Sequence, residues 1–349
     1  MAIEKRRARS GAEISKTGKR AAGKGAGGGK AKPGSARIPR YEQLPVREGA
    51  PAGSAWGVFG DEDQLGTINL MTLPRVRAAA RLVRTGRVFA LNLPIDIPNP
   101  PLFGRGRHKH VINEYGGGGY ILDDYLDNFF PQASSQWDAL AHVKHPKLGA
   151  YNGFADSEIT GRGGDKLGID HIARRGIAGR GVLADVARHY ERTGRTIDFT
   201  RPTVIPLEDL EATLKAQRTR IKPGDMLMVR IGWTQWYMGL SPEQKAELAR
   251  ETVVPGIEGT RRTARWLWNA GVAAIASDSP ALEPLPVQSR DFLHFHLLAF
   301  FGMPIGEMWN LDPLADDCAA DKRYEFFFTS APLNIPGGVG SPPNALAIK

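Results

Sequence analysis

Apolar positions along the chain follow helical spacing in some stretches and form short strand-like runs in others. After the turn-rich "GDEDQLGT", Pro74 is placed to open a helix, and Val76, Ala80, Leu82 and Val83 follow at roughly helical spacing. Gly86 should stop that helix, and "RVFALNLPI" reads as a strand. Residues 96–120, crowded with Pro and Gly, read as a long irregular loop, a kind of segment that often carries function in a compact domain. "GRGVLADVARHY" contains a short apolar strand ending at Asp185. "PLEDLEATLKAQRTRIKPGDMLMVRIGW" predicts a helix, a "KPGD" turn and a buried strand. "SPEQKAELARE" opens with a serine cap and an acidic first turn.

The second half continues in the same way. "PGIEGTRRTARWLWNAGVAAIASD" predicts a helix ended near Gly271, then a strand reaching Asp278. "RDFLHFHLLAFFGMPIGEMWNL" predicts an apolar helix, a glycine stop and a short strand ending at Glu307; "YEFFFTSAPLNI" reads as the last strand. Helices and strands alternate, so the expected class is α/β.

Composition changes this picture at one end only. The net charge of +9 is uneven: residues 1–40 hold twelve Lys/Arg against two Glu, and the rest holds thirty-four basic against thirty-five acidic residues. The expectation is a disordered basic tail over 1–40 and a single, nearly neutral domain over 41–349. Such a tail would make at most weak contacts with nucleic acid or an acidic surface; a solubilising extension is the plainer reading. With 42% hydrophobic residues the domain can build a sizeable core. No run of eighteen apolar residues and no apolar segment behind the basic N-terminus is found, so neither a membrane span nor a secretory signal is expected. One cysteine, Cys318, allows no internal disulfide and no cysteine zinc cluster, and a cytoplasmic location follows as the expectation.

The candidate chemistry lies where polar residues meet apolar runs. Asp138, His142, Asp185, Asp278 and Glu307 stand at or near the ends of such runs, and His294 and His296 lie within an apolar helix. An unpaired buried carboxylate is costly, and one divalent metal would satisfy several of these groups at once. Each also has a plainer reading. His142 or His296 alone suits a core histidine, Asp185 and Asp278 suit helix caps or hydrogen-bonded strand ends, and Trp266 and Trp268 suit the core. "YGGGGY" lacks the Lys-Ser/Thr of a phosphate loop, and no G-x-S-x-G elbow is present.

Taken together, "DEDQLGTINLMTLPRVRAAARLVRTGRVFALNLPI", "GRGVLADVAR", "KPGDMLMVRIGW" and "IASDSPALEPLP" resemble the cyclase family, which includes bacterial kynurenine formamidases and isatin hydrolases. The resemblance runs from about Trp56 onward and is nearest to a long branch of that family. The family's metal-ligand signature, H-x-G-T-H-x-D-x-P-x-H, laid on "QASSQWDALAH" places its aspartate on Asp138 and its last histidine on His142. Its two earlier histidines fall on Gln132 and Gln136. A glutamine oxygen binds a divalent ion more weakly than imidazole binds zinc. The family's later histidine and glutamate match His294, with His296 as the alternative register, and Glu307.

The resemblance implies an α/β fold with a central mixed sheet or barrel-like β core flanked by helices. It also implies a homodimer or homotetramer and about one zinc or manganese ion per chain. The expected ligands are Asp138, His294, Glu307 and Gln136, with His142 moving the proton and Glu307 sharing that work. The loop at 96–120, with Phe103, His108, His110 and Tyr120, is the expected substrate wall, to which Trp137 or Trp56 could add a flat face. The implied activity is metal-dependent hydrolysis of an amide, cyclic amide or lactone on a small-molecule substrate. A lyase, dehydratase or cyclase using the same metal, and a metal-free binding relative, are the alternatives.

Overall fold

In the computed structural model, residues 38–287 and 291–349 are described. The strands, in chain order, are β1 (Val88–Ala90), β2 (Lys109–Tyr115), β3 (Ile121–Asp127), β4 (Gln136–Asp138), β5 (Ile177–Asp185), β6 (Val204–Ile205) and β7 (Met226–Arg230). They continue as β8 (Gly256–Ile257), β9 (Ala274–Ser277), β10 (Ile305–Glu307), β11 (Glu325–Ser330), β12 (Gly340–Ser341) and β13 (Ala345–Ile348). Nine of them form one sheet that curls into a half-barrel, in the order β1-β13-β11-β5-β7-β9-β10-β4-β12. Its centre, β5-β7-β9-β10, is parallel, and the outer strands pair antiparallel. The fold is mixed α/β, as the alternating pattern requires.

Period-two alternation explains the two cores. Along β7, Met226 and Met228 pack with Trp137, Trp309, Phe326 and Phe328 on one face, and Leu227 and Val229 pack with Trp233, Trp268 and Phe301 on the other. All five residues of β7 are buried, as expected for a parallel strand covered on both faces. The helix Arg261–Ala270 carries Ala264, Leu267 and Trp268 into the second core and ends at Gly271 in the left-handed conformation (φ 73°). Ser241 caps the helix Pro242–Arg250 in a reciprocal box with Gln244, as its sequence signals.

Four boundaries differ from the sequence reading. The helix at Pro74 spans Leu73–Ala80 and ends before Gly86. The strand read in "RVFALNLPI" shortens to Val88–Ala90, an edge paired only with β13. Part of the expected irregular loop folds as the hairpin β2–β3, paired in register from Lys109↔Asp127 to Tyr115↔Ile121. Its residues pair only with one another, so no alternation toward a core marks them in the sequence. Finally, β12 and β13 follow β11, which is therefore not the last strand.

The tail expected over 1–40 lies outside the described residues up to position 37. Residues Ile38–Arg40 belong with the domain: the Pro39 carbonyl accepts from Trp268 Nε1 at 2.9 Å, and Arg40 precedes the short 3-10 helix Tyr41–Gln43. Among the described residues, no helix is long and apolar enough to cross a membrane.

Candidate metal centre

The site is built on the antiparallel pair β4–β10. Register sets Gln136 opposite Glu307 and Asp138 opposite Ile305, so Gln136, Asp138 and Glu307 share the sheet face that Trp137 turns away from. β10 lies close against β9 because position 306 is glycine: a Cβ there would sit 2.7 Å from Ala276 Cβ and 2.8 Å from Trp309 Nε1. The third group comes from the π-helix Phe295–Phe301, which closes at Gly302 in the left-handed conformation. His294 immediately precedes that helix.

One ligand atom each from Asp138, His294 and Glu307 lies within 4.8 Å of the others. His294 Nε2 is 3.2 Å from Glu307 Oε1 and 3.7 Å from Asp138 Oδ2. All three residues are buried. Both Asp138 carboxylate oxygens and Gln136 Oε1 are buried without a hydrogen-bond partner among the described residues. Buried polar atoms are nearly always satisfied, so three orphaned oxygens on one face indicate a group that the protein expects to bind. One imidazole, two carboxylates and an amide oxygen suit zinc or manganese. The donor set and its orphaned atoms therefore fit a divalent ion.

Glu283 fixes the histidine. Its Oε1 accepts from the His294 backbone N–H at 3.1 Å, and its Oε2 pairs with Nδ1 at 2.8 Å. A carboxylate holding one ring nitrogen directs the other at a metal and raises its basicity. Gln136 Nε2 donates to Glu307 Oε2 at 2.5 Å, which leaves the amide oxygen as its free end. Leu282 N donates to Glu307 Oε1 at 3.2 Å.

The electrostatics follow from burial. Burial pushes the Asp138 carboxyl up to about 6, with His142 acting against that rise. Burial works against a charged His294, but the Glu283 and Glu307 carboxylates outweigh it and hold the imidazole well above its ordinary value.

The remaining candidates fall into place around this cluster. His142 Nε2 is 3.7 Å from Asp138 Oδ1, and its side chain is 27% exposed, unlike the fully buried aspartate. His296 is not the alternative ligand: its Nε2 is 3.8 Å from Asp291 Oδ1 and its ring meets Phe300 edge-on. Gln132 packs against Gly340 of β12, where a Cβ would approach its Nε2 to 2.6 Å. Asp185 caps the helix Val186–Arg192 and pairs with Arg230 and Arg188. Asp278 accepts from the Ile231 and Gly232 backbone N–H groups, both at 2.8 Å. These two aspartates are structural strand ends.

The residues expected to form a substrate wall do not gather in one place. Trp137 is fully buried on the opposite sheet face, edge-on to Trp309 at 4.9 Å and donating to Ser330 Oγ. Alternation along β4 sends it there once Gln136 and Asp138 face the site. His110 and Tyr120 belong to the β2–β3 hairpin: His110 bonds Asp124 Oδ2 at 2.6 Å, and Tyr120 is 76% exposed. Among the described residues no contact joins either to Asp138, His294 or Glu307. His108, on the same segment, meets Phe129 edge-on at 6.3 Å. Trp56 is a core residue whose Nε1 donates to the Ala299 carbonyl. Phe103 is partly exposed, and its ring lies under the Arg105 guanidinium, 5.0 Å from the centroid.

Two residues escaped the sequence reading. Glu283 carried a signal, an acid alone in the largely apolar "SPALEPLP" before the histidine-bearing helix. Arg105 sat in the singled-out loop, in "GRGRHKH", where repeated charge concealed it. Burial works against its charge, and the Glu307 and Asp138 carboxylates act the other way.

With this geometry in view, the chain can be compared with known proteins. A family model described as "Putative cyclase" matches residues 90–284. A crystal structure described as that of a novel cyclase is 36% identical, with a TM-score of 0.76, over 85% of this chain and 99% of that one. Isatin hydrolase A from Ralstonia solanacearum is 20% identical, with a TM-score of 0.53, over 79% of this chain and 97% of that one. Isatin hydrolase A from Labrenzia aggregata is 17% identical, also at 0.53, over 75% and 93%. At these lower identities the likeness is one of fold. No curated protein matches the chain in sequence.

Proposed function

This chain belongs to the cyclase family, and from that premise we propose that it is a metal-dependent hydrolase of an amide, cyclic amide or lactone. The observation that carries the reading is the convergence of Asp138, His294 and Glu307, beside carboxylate oxygens of Asp138 and the amide oxygen of Gln136 that lack a hydrogen-bond partner among the described residues. Isatin is a cyclic amide, and proteins named for its hydrolysis share the fold, which supports the substrate class.

Asp138, His294 and Glu307, with Gln136 through its free oxygen, would hold one zinc or manganese ion per chain. Such an ion, when bound, makes water a stronger nucleophile at neutral pH and polarises a carbonyl. His142 is placed beside Asp138 and partly open to solvent, so it can take a proton from the attacking water and return it to the leaving nitrogen or oxygen. Glu307 shares proton handling only when its oxygens are not both engaged, since Gln136 and Leu282 already bond them. Glu283 keeps the His294 ring from turning.

The protein acts as a homodimer or homotetramer in this reading. The β2–β3 hairpin supports it, exposing Ile112, Tyr115, Ile121, Leu122 and Tyr125, because an isolated two-stranded ribbon is marginal in water. A cytoplasmic location is proposed on the single, buried and unpaired Cys318.

The testing experiment measures metal content of the purified protein and turnover of a panel of amides, cyclic amides and lactones in 18O-water. Stoichiometric metal with solvent oxygen in the product supports hydrolysis. Turnover without 18O incorporation indicates the lyase or cyclase alternative. Absence of metal, with no binding on titration of zinc or manganese, refutes the reading.

A further inference from the structure

Arg105 is an unpaired charge within electrostatic reach of Asp138 and Glu307. It lies on the segment between β1 and β2. Its Nη1 is buried and has no hydrogen-bond partner, and its guanidinium forms no ion pair, among the described residues. Guanidinium stays charged under all ordinary conditions, so a desolvated and unbonded edge is costly unless a ligand completes it. The Phe103 ring, 5.0 Å from the guanidinium carbon, covers one face of the fork and leaves its edge for recognition. The negative groups that act on it, Glu307 and Asp138, are the ones that converge for the metal.

An anion lying against Arg105 would therefore also lie near the metal ligands. The fork suits carboxylate or phosphate. The surroundings select between them: the carboxylates of Asp138, Glu307 and Glu283 already balance the guanidinium and a divalent ion, so every charge the ligand brings is uncompensated, one for a carboxylate against two for a dianionic phosphate.

We propose that Arg105, backed by Phe103, is the recognition site for a carboxylate on the substrate, so that the enzyme acts on monoanionic acids. This deepens the hydrolase reading and rests on it for the identity of the ligand as substrate. The role assigned to Arg105 is binding and positioning of the acid.

The test titrates zinc-loaded full-length protein with benzoate and with benzamide, its neutral isostere, by calorimetry. The wild type should bind benzoate at least about tenfold more tightly. Arg105→Gln should erase that preference, and Arg105→Lys should keep only part of it, because ammonium lacks the fork. Equal affinities in the wild type, or an undiminished preference in Arg105→Gln, overturn the proposal; in the second case the anion is bound by the metal alone. If Arg105→Gln does not fold, Arg105→Lys decides: an unchanged preference overturns the proposal. The two readings fail separately. Zinc binding and amide turnover without an Arg105-dependent preference would sink the carboxylate site alone. An Arg105-dependent preference in a protein that binds no metal would leave the anion site and remove the hydrolase.

Discussion

Glu283 grips His294 at two points, one carboxylate oxygen on the backbone N–H at 3.1 Å and the other on Nδ1 at 2.8 Å. The ring is thereby locked with Nε2 toward Glu307 and Asp138. Glu283→Gln should leave the fold intact and weaken metal binding by roughly 10- to 100-fold, the usual cost of losing a ligand's orienting partner. Competition with a chelator of known affinity measures this. Unchanged affinity would mean that Glu283 only satisfies a buried ring.

Asp138 and Gln136 should separate by charge. Asp138→Asn should abolish metal retention, whereas Gln136→Ala should weaken it only moderately. In metal-free protein the order reverses for stability. Asp138 is a fully buried carboxylate with neither oxygen hydrogen-bonded among the described residues, and relieving it should stabilise by about 1–3 kcal/mol. A higher melting temperature for metal-free Asp138→Asn than for metal-free wild type checks this; a lower one would show that Asp138 holds the fold together.

His142→Ala distinguishes three roles in one preparation. As the proton-transfer group, its loss should keep the fold and the metal while hydrolysis drops by about two to four orders of magnitude. Loss of metal together with activity would make it a ligand. A fall of a few degrees in melting temperature, with activity following only the folded fraction, would make it a packing residue.

Asp278 should leave a signature in the pH dependence of stability. Burial raises its carboxyl from its ordinary value of 3.8 to about 7 in the folded protein, against the pull of Arg230. A raised folded value means that the folded state binds the proton more tightly. This group's contribution is complete below about pH 4 and is lost as pH rises to about 7. Asp278→Asn should therefore flatten the decline in melting temperature between pH 5 and pH 8, whatever it costs at low pH. Parallel wild-type and mutant profiles would show that Asp278 is charged across that range.

The hairpin offers a test of assembly. Leu122 and Tyr125 on β3 are 61% and 52% exposed. If this ribbon is covered by a second copy, Leu122→Asp combined with Tyr125→Asp should lower the sedimentation coefficient to that of a single chain. An unchanged coefficient would place the interface elsewhere.

Local pattern in the sequence determined the elements. Continuous apolar runs named β7 and β9, a serine cap and an acidic first turn named Pro242–Arg250, and the glycines at 271 and 302 ended the segments where their positive φ allows. Motif resemblance brought Asp138, His142, His294 and Glu307 forward as candidates. Only tertiary structure decided which of these meet. Gln136 and Glu307 bond across 171 positions of sequence because β4 and β10 pair in one register. A slip of one residue would turn Trp137 to the site and bury Asp138 on the wrong face. That His294 rather than His296 meets Asp138 and Glu307 is likewise a matter of how the chain packs, with Glu283 holding the ring. Arg105 was invisible for the same reason: its meaning lies in having no partner, and whether a charge is unpaired depends on everything folded around it.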